Sequence, residues 1–530
     1  MRRGTCWGSS DSTVRAPVDD DPRQAGGYLA VTDYRNRRVT VMGLGAFGGG
    51  EGVVRFLASR GARVTVTDLK TDSELGETLA RIANCRIEAL HLGGHREDDF
   101  READLVVVNP AVPRANPFLT VAREAGVPLT SEMNLFIEHN PGPVLAVTGS
   151  IGKSTTTALA ERMLAAGGLR TWLGGNIGRS LLPVVDQIAP DDWVVLELSS
   201  FQLADLDRLQ FRPEVAVVTN LRPNHLDWHA SLDEYREAKQ TILRWQRADD
   251  VAVLNRDDPD VSTWNVRGRR VWFGSDAGVA GVGPKGNPGT PPTSTDVLST
   301  IDGAFVGVNS GRLRFRLALG HIAFEIDLRE VFNLPGEHHA LNAAAAAAAA
   351  VAVGVSEVAV RKALAEFEGL PHRLQFVGEF QGRRFYDDSK ATTPEAAIAA
   401  LEAFDEPVVL LAGGYDKQVD LTEFGRRIAE RTKAVALMGQ TAEILAESIK
   451  HCTTRFAATR QGRAWASSQA KRCASFDAAV AWAIDQSEPG DVVLLSPGCA
   501  SFGWFQNYVE RGRAFAGAVA RWGRNHGSDE

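Results

Sequence analysis

Cysteine, methionine and tyrosine are scarce in this chain of 530 residues, numbering 5, 5 and 6. The cysteines (Cys6, Cys85, Cys452, Cys473 and Cys499) are scattered, form no CxxC pair and leave an odd one over. A disulfide framework is therefore excluded as the organising device, and a reduced, cytoplasmic setting is expected. Long hydrophobic runs are missing too. The longest, Ala340 to Val353, is mostly alanine and too short for a bilayer, so it reads as a packed helix with no membrane partner. Nor is there an excess of positive charge: 58 Lys and Arg against 66 Asp and Glu leave −8. Such a balance gives no general attraction to nucleic acid, and any anionic ligand must be held by local charges. Residues 1–37 are rich in Arg, Asp, Gly and Ser and lack the apolar region of a signal peptide, so they read as a disordered extension.

What the chain does contain is an alternation of short apolar runs with helical periods, the pattern of an α/β protein with parallel sheets. Its length suits three or four domains. A first, Rossmann-like domain is expected over 38–141, with strands at Arg38 to Met42, Val64 to Thr67, Leu105 to Val108 and Val127 to Leu129. A central domain over 142–370 repeats the pattern at Val144 to Thr148, Trp193 to Leu198, Val215 to Thr219 and Val251 to Leu254. It contains a Gly, Pro, Ser and Thr-rich stretch at about 274–300 that reads as a surface insertion. A third Rossmann-like domain over 371–530 has strand signals at Phe385 to Tyr386, Val408 to Ala412, Ala434 to Met438 and Val492 to Ser496.

The most informative segment is TGSIGKSTTT, Thr148 to Thr157, directly after an apolar strand. Its Gly149 and Gly152 permit a tight turn, Lys153 supplies a point charge, and Ser154 and Thr155 open a helix whose free N–H groups suit phosphates. This is the cradle of an ATP-type nucleotide, with Ser154 able to ligate Mg²⁺. Glu197 ends the run Trp193 to Leu198 and sets a carboxylate where a metal would be held. His225 and Asp227 follow Val215 to Thr219 at the same sheet edge. The first domain carries a second glycine loop, Gly43-Leu44-Gly45-Ala46-Phe47-Gly48, with Asp68 about 20 residues on. Alone it suggests an NAD-dependent oxidoreductase, yet the same loop suits any diphosphate, including a nucleotide sugar.

Taken in order, TGSIGKSTTT, GGNIG, ELSSFQL, NHLDWH with YREAK, GEHHALN, PHR, YDDSKATTPEA, AGGYDK and SPGCASF resemble the Mur ligases over about residues 38 to 520. ELSSFQL, DSKAT and SPGCASF are most similar to the members that join D-glutamate to UDP-N-acetylmuramoyl-L-alanine. The resemblance implies an ATP-dependent amide ligase working through an acyl phosphate, with those two substrates as its partners and a monomer as the default state. Another Mur-type ligase or a folylpolyglutamate ligase, with a different acceptor, is the alternative. By resemblance, Lys153, Glu197, His225, Lys239 and Lys390 are catalytic, and Gly149, Gly152, Lys153, Ser154, Thr155, Asn342, Arg373 and Asp388 hold ATP. Two Mg²⁺ ions would use Ser154, Glu197, His225 and a carbamylated Lys239. Without the resemblance, Lys239 reads as a solvated helix charge. Ala46, Phe47, Asp68, Asn176 and Ser199 would face the nucleotide substrate, and Thr392, Lys417, Ser501 and Tyr508 the amino acid. The chain departs from the family's usual residues at Phe47, Lys70, Ala111, Asn224, His339 and Tyr508. Phe47 suits either stacking on a base or packing in the core.

Overall fold

The structure, a computed structural model, describes residues 33–45, 48–110, 112–223, 229, 231–276, 302–309, 312–332, 334–456 and 469–526. The expectations for residues 1–32, for Ala46, Phe47, Ala111, Asn224, His225 and Asp227, and for the insertion from 277 onward fall outside these.

Three sheets organise the described residues. The first contains β1 (Arg38–Met42), β2 (Arg63–Asp68), β3 (Ile87–Leu92), β4 (Leu105–Val108) and β5 (Leu129–Thr130), all parallel, in the order β3-β2-β1-β4-β5. The order reverses between β1 and β4, which opens a crevice at their carboxyl ends.

The second sheet begins with β6 (Val144–Thr148), β7 (Thr171–Gly175), β8 (Trp193–Glu197), β9 (Val215–Val218), β10 (Val251–Asn255) and β11 (Arg269–Ser275). It ends with β12 (Gly303–Asn309), β13 (Arg312–Leu319) and β14 (Ile322–Asp327). Its order is β14-β13-β12-β11-β10-β9-β6-β8-β7. The strands are parallel as far as β12, after which β13 and β14 extend the sheet antiparallel. In this meander the charges gather on one face, where Arg314 and Arg316 meet Glu325 across the β13–β14 ladder. β6, β8 and β9 are apolar without alternation because helices cover both faces. The alanine-rich segment forms the helix Glu337–Ala352, and Ala343 to Ala350 are at most 1% exposed. Methyl-sized side chains let it pack beside the helix Lys153–Ala166 in one core.

The third sheet contains β15 (Gln375–Phe380), β16 (Arg383–Asp387), β17 (Val408–Gly414), β18 (Thr432–Gly439), β19 (Gln469–Arg472) and β20 (Val492–Leu495). Their order is β15-β16-β20-β17-β18-β19, parallel except for β15 against β16. A single apolar cluster runs from the first sheet through Met133, Leu135 and Phe136 into the second, whereas the third has clusters of its own. Among the described residues no helix is long and apolar enough to cross a membrane.

Candidate active site

The segment Gly149 to Ser154 leaves β6 at the middle of the second sheet. Two of its glycines are there for space as much as for backbone freedom. Gly149 has φ +146° and Gly152 φ +85°; a Cβ at the first would lie 1.9 Å from Thr219 Oγ1, and at the second 2.4 Å from Asn342 Oδ1. Lys153 then starts the helix and folds back, donating from Nζ to the carbonyls of Gly149 at 2.9 Å and Ser150 at 3.0 Å. The ammonium thus lies over the loop. Burial, with Arg373 adding repulsion, lowers its pKa, against the pull of Glu197.

Glu197, at the end of β8, is 2% exposed and shared. Ser154 Oγ donates to its Oε2 at 2.5 Å and Asn176 Nδ2 to its Oε1 at 3.2 Å. Arg373 reaches in from the third unit, donating from Nη2 to Ser154 Oγ at 2.8 Å. Asn342 belongs to the same group: its Oδ1 accepts from Thr156 Oγ1 at 3.3 Å.

Lys239 corrects the reading of a solvated helix charge. The helix Leu232–Arg244 turns it inward, leaving it 1% exposed. Its Nζ donates to Gly149 O at 2.8 Å and stands 4.6 Å from the centre of the Tyr235 ring. Burial, reinforced by the nearby Lys153, holds its pKa well below the usual lysine value. Tyr235 is a site residue the sequence did not single out; its hydroxyl lies 3.0 Å from Ser150 Oγ. His229 also lies within this wall, 2.9 Å from Ser200 Oγ and stacked on Phe201.

In the third unit the order reverses between β17 and β20, and the expected residues lie on loops at these ends. Asp388 follows β16; its carboxyl accepts from Ser496 Oγ at 2.7 Å and from Leu374 N at 3.2 Å, and burial raises its pKa to about 7. Lys390 lies 5.3 Å from the centre of the Tyr508 ring, and burial with Arg373 lowers its pKa to about 8. Thr392 is half-buried and Ser501 6% exposed, while Lys417 stands exposed on the loop after β17. That loop is joined to the Ser501 loop by the bridge between Tyr415 and Ala500.

In the first unit, Asp68 ends β2 and is occupied by the backbone: Oδ2 accepts from Leu44 N and Oδ1 from Lys70 N, each at 2.9 Å. It therefore braces the glycine loop. Asn109, unmarked by any motif, stands after β4 at the crevice, and a Cβ on Gly45 would come within 2.8 Å of its Nδ2. Ser199 caps the helix Ser200–Leu206 through a capping box with Gln202.

The chemistry of this constellation suits a nucleoside triphosphate and a hard cation. Arg373 Nε and both ring nitrogens of the buried His339 are left without a hydrogen-bond partner beside the loop, polar groups that a bound nucleotide would satisfy. Ser154 and Glu197 present oxygen donors of the kind Mg²⁺ takes. Among the described residues no group of three or more His, Cys, Asp or Glu is arranged to hold a metal ion.

Comparison with known proteins agrees along the chain. Residues 37–131 match the MurD-like N-terminal domain of Mur ligases, 147–350 the Mur ligase middle domain, and 372–499 the glutamate ligase domain of Mur ligases. A UDP-N-acetylmuramoylalanine--D-glutamate ligase of Roseiflexus sp. (strain RS-1) is 41% identical over 486 residues, covering 90% of this chain and 97% of that protein. One of the same name from Geobacillus kaustophilus (strain HTA426) is 38% identical, covering 92% and 98%. Among solved structures, the UDP-N-acetylmuramate-alanine ligase MurC of Thermotoga maritima matches the fold with a TM-score of 0.58 at 20% identity, covering 92% of this chain and 100% of that one. A pseudomurein peptide ligase type C from Methanothermus fervidus does so with a TM-score of 0.54 at 17% identity, covering 91% and 100%. With matched domains in sequence order and relatives alike over nearly their whole length, the chain belongs to the Mur ligase family.

Proposed function

We propose that this chain is an ATP-dependent amide ligase of peptidoglycan precursor synthesis, joining D-glutamate to UDP-N-acetylmuramoyl-L-alanine. The observation that carries the reading is the meeting of Lys153, Ser154, Glu197, Lys239 and Arg373 around one glycine loop. The acceptor assignment draws on the names of relatives 33–41% identical along nine-tenths of the chain.

The chemical difficulty is charge. A substrate carboxylate must take the γ-phosphoryl group of ATP, and two anions meet. Lys153 and the N–H groups at the start of its helix bind the phosphates, and Arg373 closes the cradle from the third unit. Ser154, Glu197, His225 and a carbamylated Lys239 are the residues that would hold two Mg²⁺ ions, which supply charge neutralisation at the phosphates. Burial favours the modification of Lys239: an uncharged amine is the form that bonds to the carbon of CO₂, releasing a proton and leaving an oxygen anion. The amine of D-glutamate then attacks the carbonyl carbon of the acyl phosphate; the C–N bond forms as the C–O bond to the departing inorganic phosphate breaks, and loss of a proton from the nitrogen leaves the amide. Lys390 serves the transferring phosphate, and Thr392, Lys417, Ser501 and Tyr508 orient the amino acid. Ala46, Phe47, Asp68, Asn176 and Ser199 serve the nucleotide substrate. Closure of the third unit over the second excludes water from the acyl phosphate.

The test is ADP formation from ATP, Mg²⁺ and UDP-N-acetylmuramoyl-L-alanine with D-glutamate, L-glutamate, L-lysine or no amino acid. Turnover confined to D-glutamate is expected. Equal turnover with another amino acid, or none with D-glutamate in protein that binds ATP, overturns the acceptor assignment.

A further inference from the structure

Arg511 lies in the first turn of the helix Tyr508–His526 and is 2% exposed. Its hydrogen-bond partners are two loops. Nε donates to Ser389 Oγ at 3.0 Å and Nη2 to Ser389 O at 2.8 Å. Nη1 and Nη2 both donate to Cys499 O at 3.2 Å. Ser389 Oγ in turn donates to Tyr508 O at 2.8 Å, closing the ring of contacts on the helix start. Ser389 follows β16 and Cys499 follows β20, adjacent strands of the third sheet.

Burying a guanidinium without a carboxylate hydrogen-bonded to it is costly. A side chain retained only to fill the core would be apolar. What Arg511 does that an apolar residue cannot is fix the spacing of two loops through a planar fork. Those loops carry Lys390 and Thr392 on one side and Ser501 on the other. Ser501, Gly414 and Arg511 line a small crevice together with Phe502, Trp504 and Phe505 at the carboxyl ends of β17 and β18, the end of the sheet where ligands of open α/β folds bind.

We infer that Arg511 is a positioning residue for the acceptor amino acid, holding the Ser389 and Cys499 loops in register so that Thr392 and Ser501 face one substrate. This rests on the acceptor site proposed above.

The experiment is steady-state kinetics with whichever amino acid the unaltered protein ligates. Arg511→Lys keeps a cation but loses the fork, and it is expected to raise KM for the amino acid by about tenfold or more. KM for ATP should rise by a clearly smaller factor, because most of the proposed ATP contacts lie outside the two clamped loops, and a general loss of folded protein does not produce such a split. Ser389→Ala removes only the hydroxyl and should shift the same KM in the same direction. Because both act through one contact, the double variant should be no worse than Arg511→Lys alone. If Arg511→Lys loses its folding transition, Ser389→Ala carries the test. An unchanged amino-acid KM, equal rises in both KM values, or fully additive effects overturn the inference. Failure of the D-glutamate assignment appears already in the unaltered protein, and failure of the clamp only in the variants.

Discussion

Arg373 and Ser154, 219 residues apart in the chain, are joined by a hydrogen bond of 2.8 Å from Nη2 to Oγ. The hydroxyl in turn donates a hydrogen bond to Glu197 Oε2, so this chain of contacts ties the third unit to the phosphate loop and to the carboxylate beside it. Placement of the third unit is thereby coupled to the state of the nucleotide cradle.

Arg373→Lys keeps the charge and shortens the reach. A hydrogen bond to a charged group contributes roughly 1.5–3 kcal/mol, so kcat/KM for ATP should fall by about 10- to 100-fold. The thermal midpoint should hardly move, because the third unit has its own apolar clusters. Steady-state kinetics beside a melting curve checks both; unchanged kcat/KM would reduce Arg373 to a docking contact.

The glycine loop tolerates no side chain at its second glycine. Gly152→Ala places a methyl 2.4 Å from Asn342 Oδ1 at a φ of +85°. Strain of about 1–3 kcal/mol follows from the backbone alone, and either the loop or Asn342 must move. ATP affinity measured by calorimetry should drop at least tenfold. Retained affinity would mean that the nucleotide does not use this loop.

Lys239→Ala should abolish ligation while leaving ATP bound, because the side chain lies beneath the loop and contacts its Gly149 carbonyl. Short carboxylic acids such as acetate should restore part of the turnover if a carbamate oxygen is what the site needs. A second readout is independent of turnover: ¹³C-labelled bicarbonate should give a carbamate NMR signal in the unaltered protein that the variant lacks. Full activity of the alanine variant would sink the carbamate role.

The sequence disclosed what is written in contiguous residues and hid what the fold assembles. Lys153 and Ser154 follow a strand within one short segment, and Glu197 ends a run of apolar residues, so both were readable. Asn109 meets a glycine loop 66 residues earlier, Tyr235 meets Ser150 across 85, and Arg511 meets Ser389 across 122. No local pattern encodes such distances. Among strands, β7 escaped notice because TWLGG contains two glycines, and β3 because its exposed and half-buried residues alternate at a sheet edge. The β12–β14 meander escaped because it adjoins a Gly and Pro-rich stretch and alternates arginines with apolar residues. Lys239 is the sharpest case. A lysine on a helix whose mean character is polar reads as solvated, and only the packing of that helix against β6 reveals a buried amine.

Glu138 gives the fold a pH dependence of definite sign. It lies toward the end of the helix Glu132–His139, and its Oε1 is buried without a hydrogen-bond partner. Burial raises its pKa from 4.5 to about 7, with Arg208 opposing. Below about pH 4.5 the folded and unfolded chains both carry the proton and the group costs nothing. Between that value and about 7 only the folded chain holds it, so stability falls as pH rises, by about 3 kcal/mol in all. Above about 7 the deficit is constant. Glu138→Gln removes the ionisation while keeping the shape. Its thermal midpoint should match the parent near pH 4 and exceed it by several degrees at pH 8, with the gap opening between. A gap that is the same at both pH values would show that the Glu138 carboxyl ionises in the folded protein as it does in the unfolded chain.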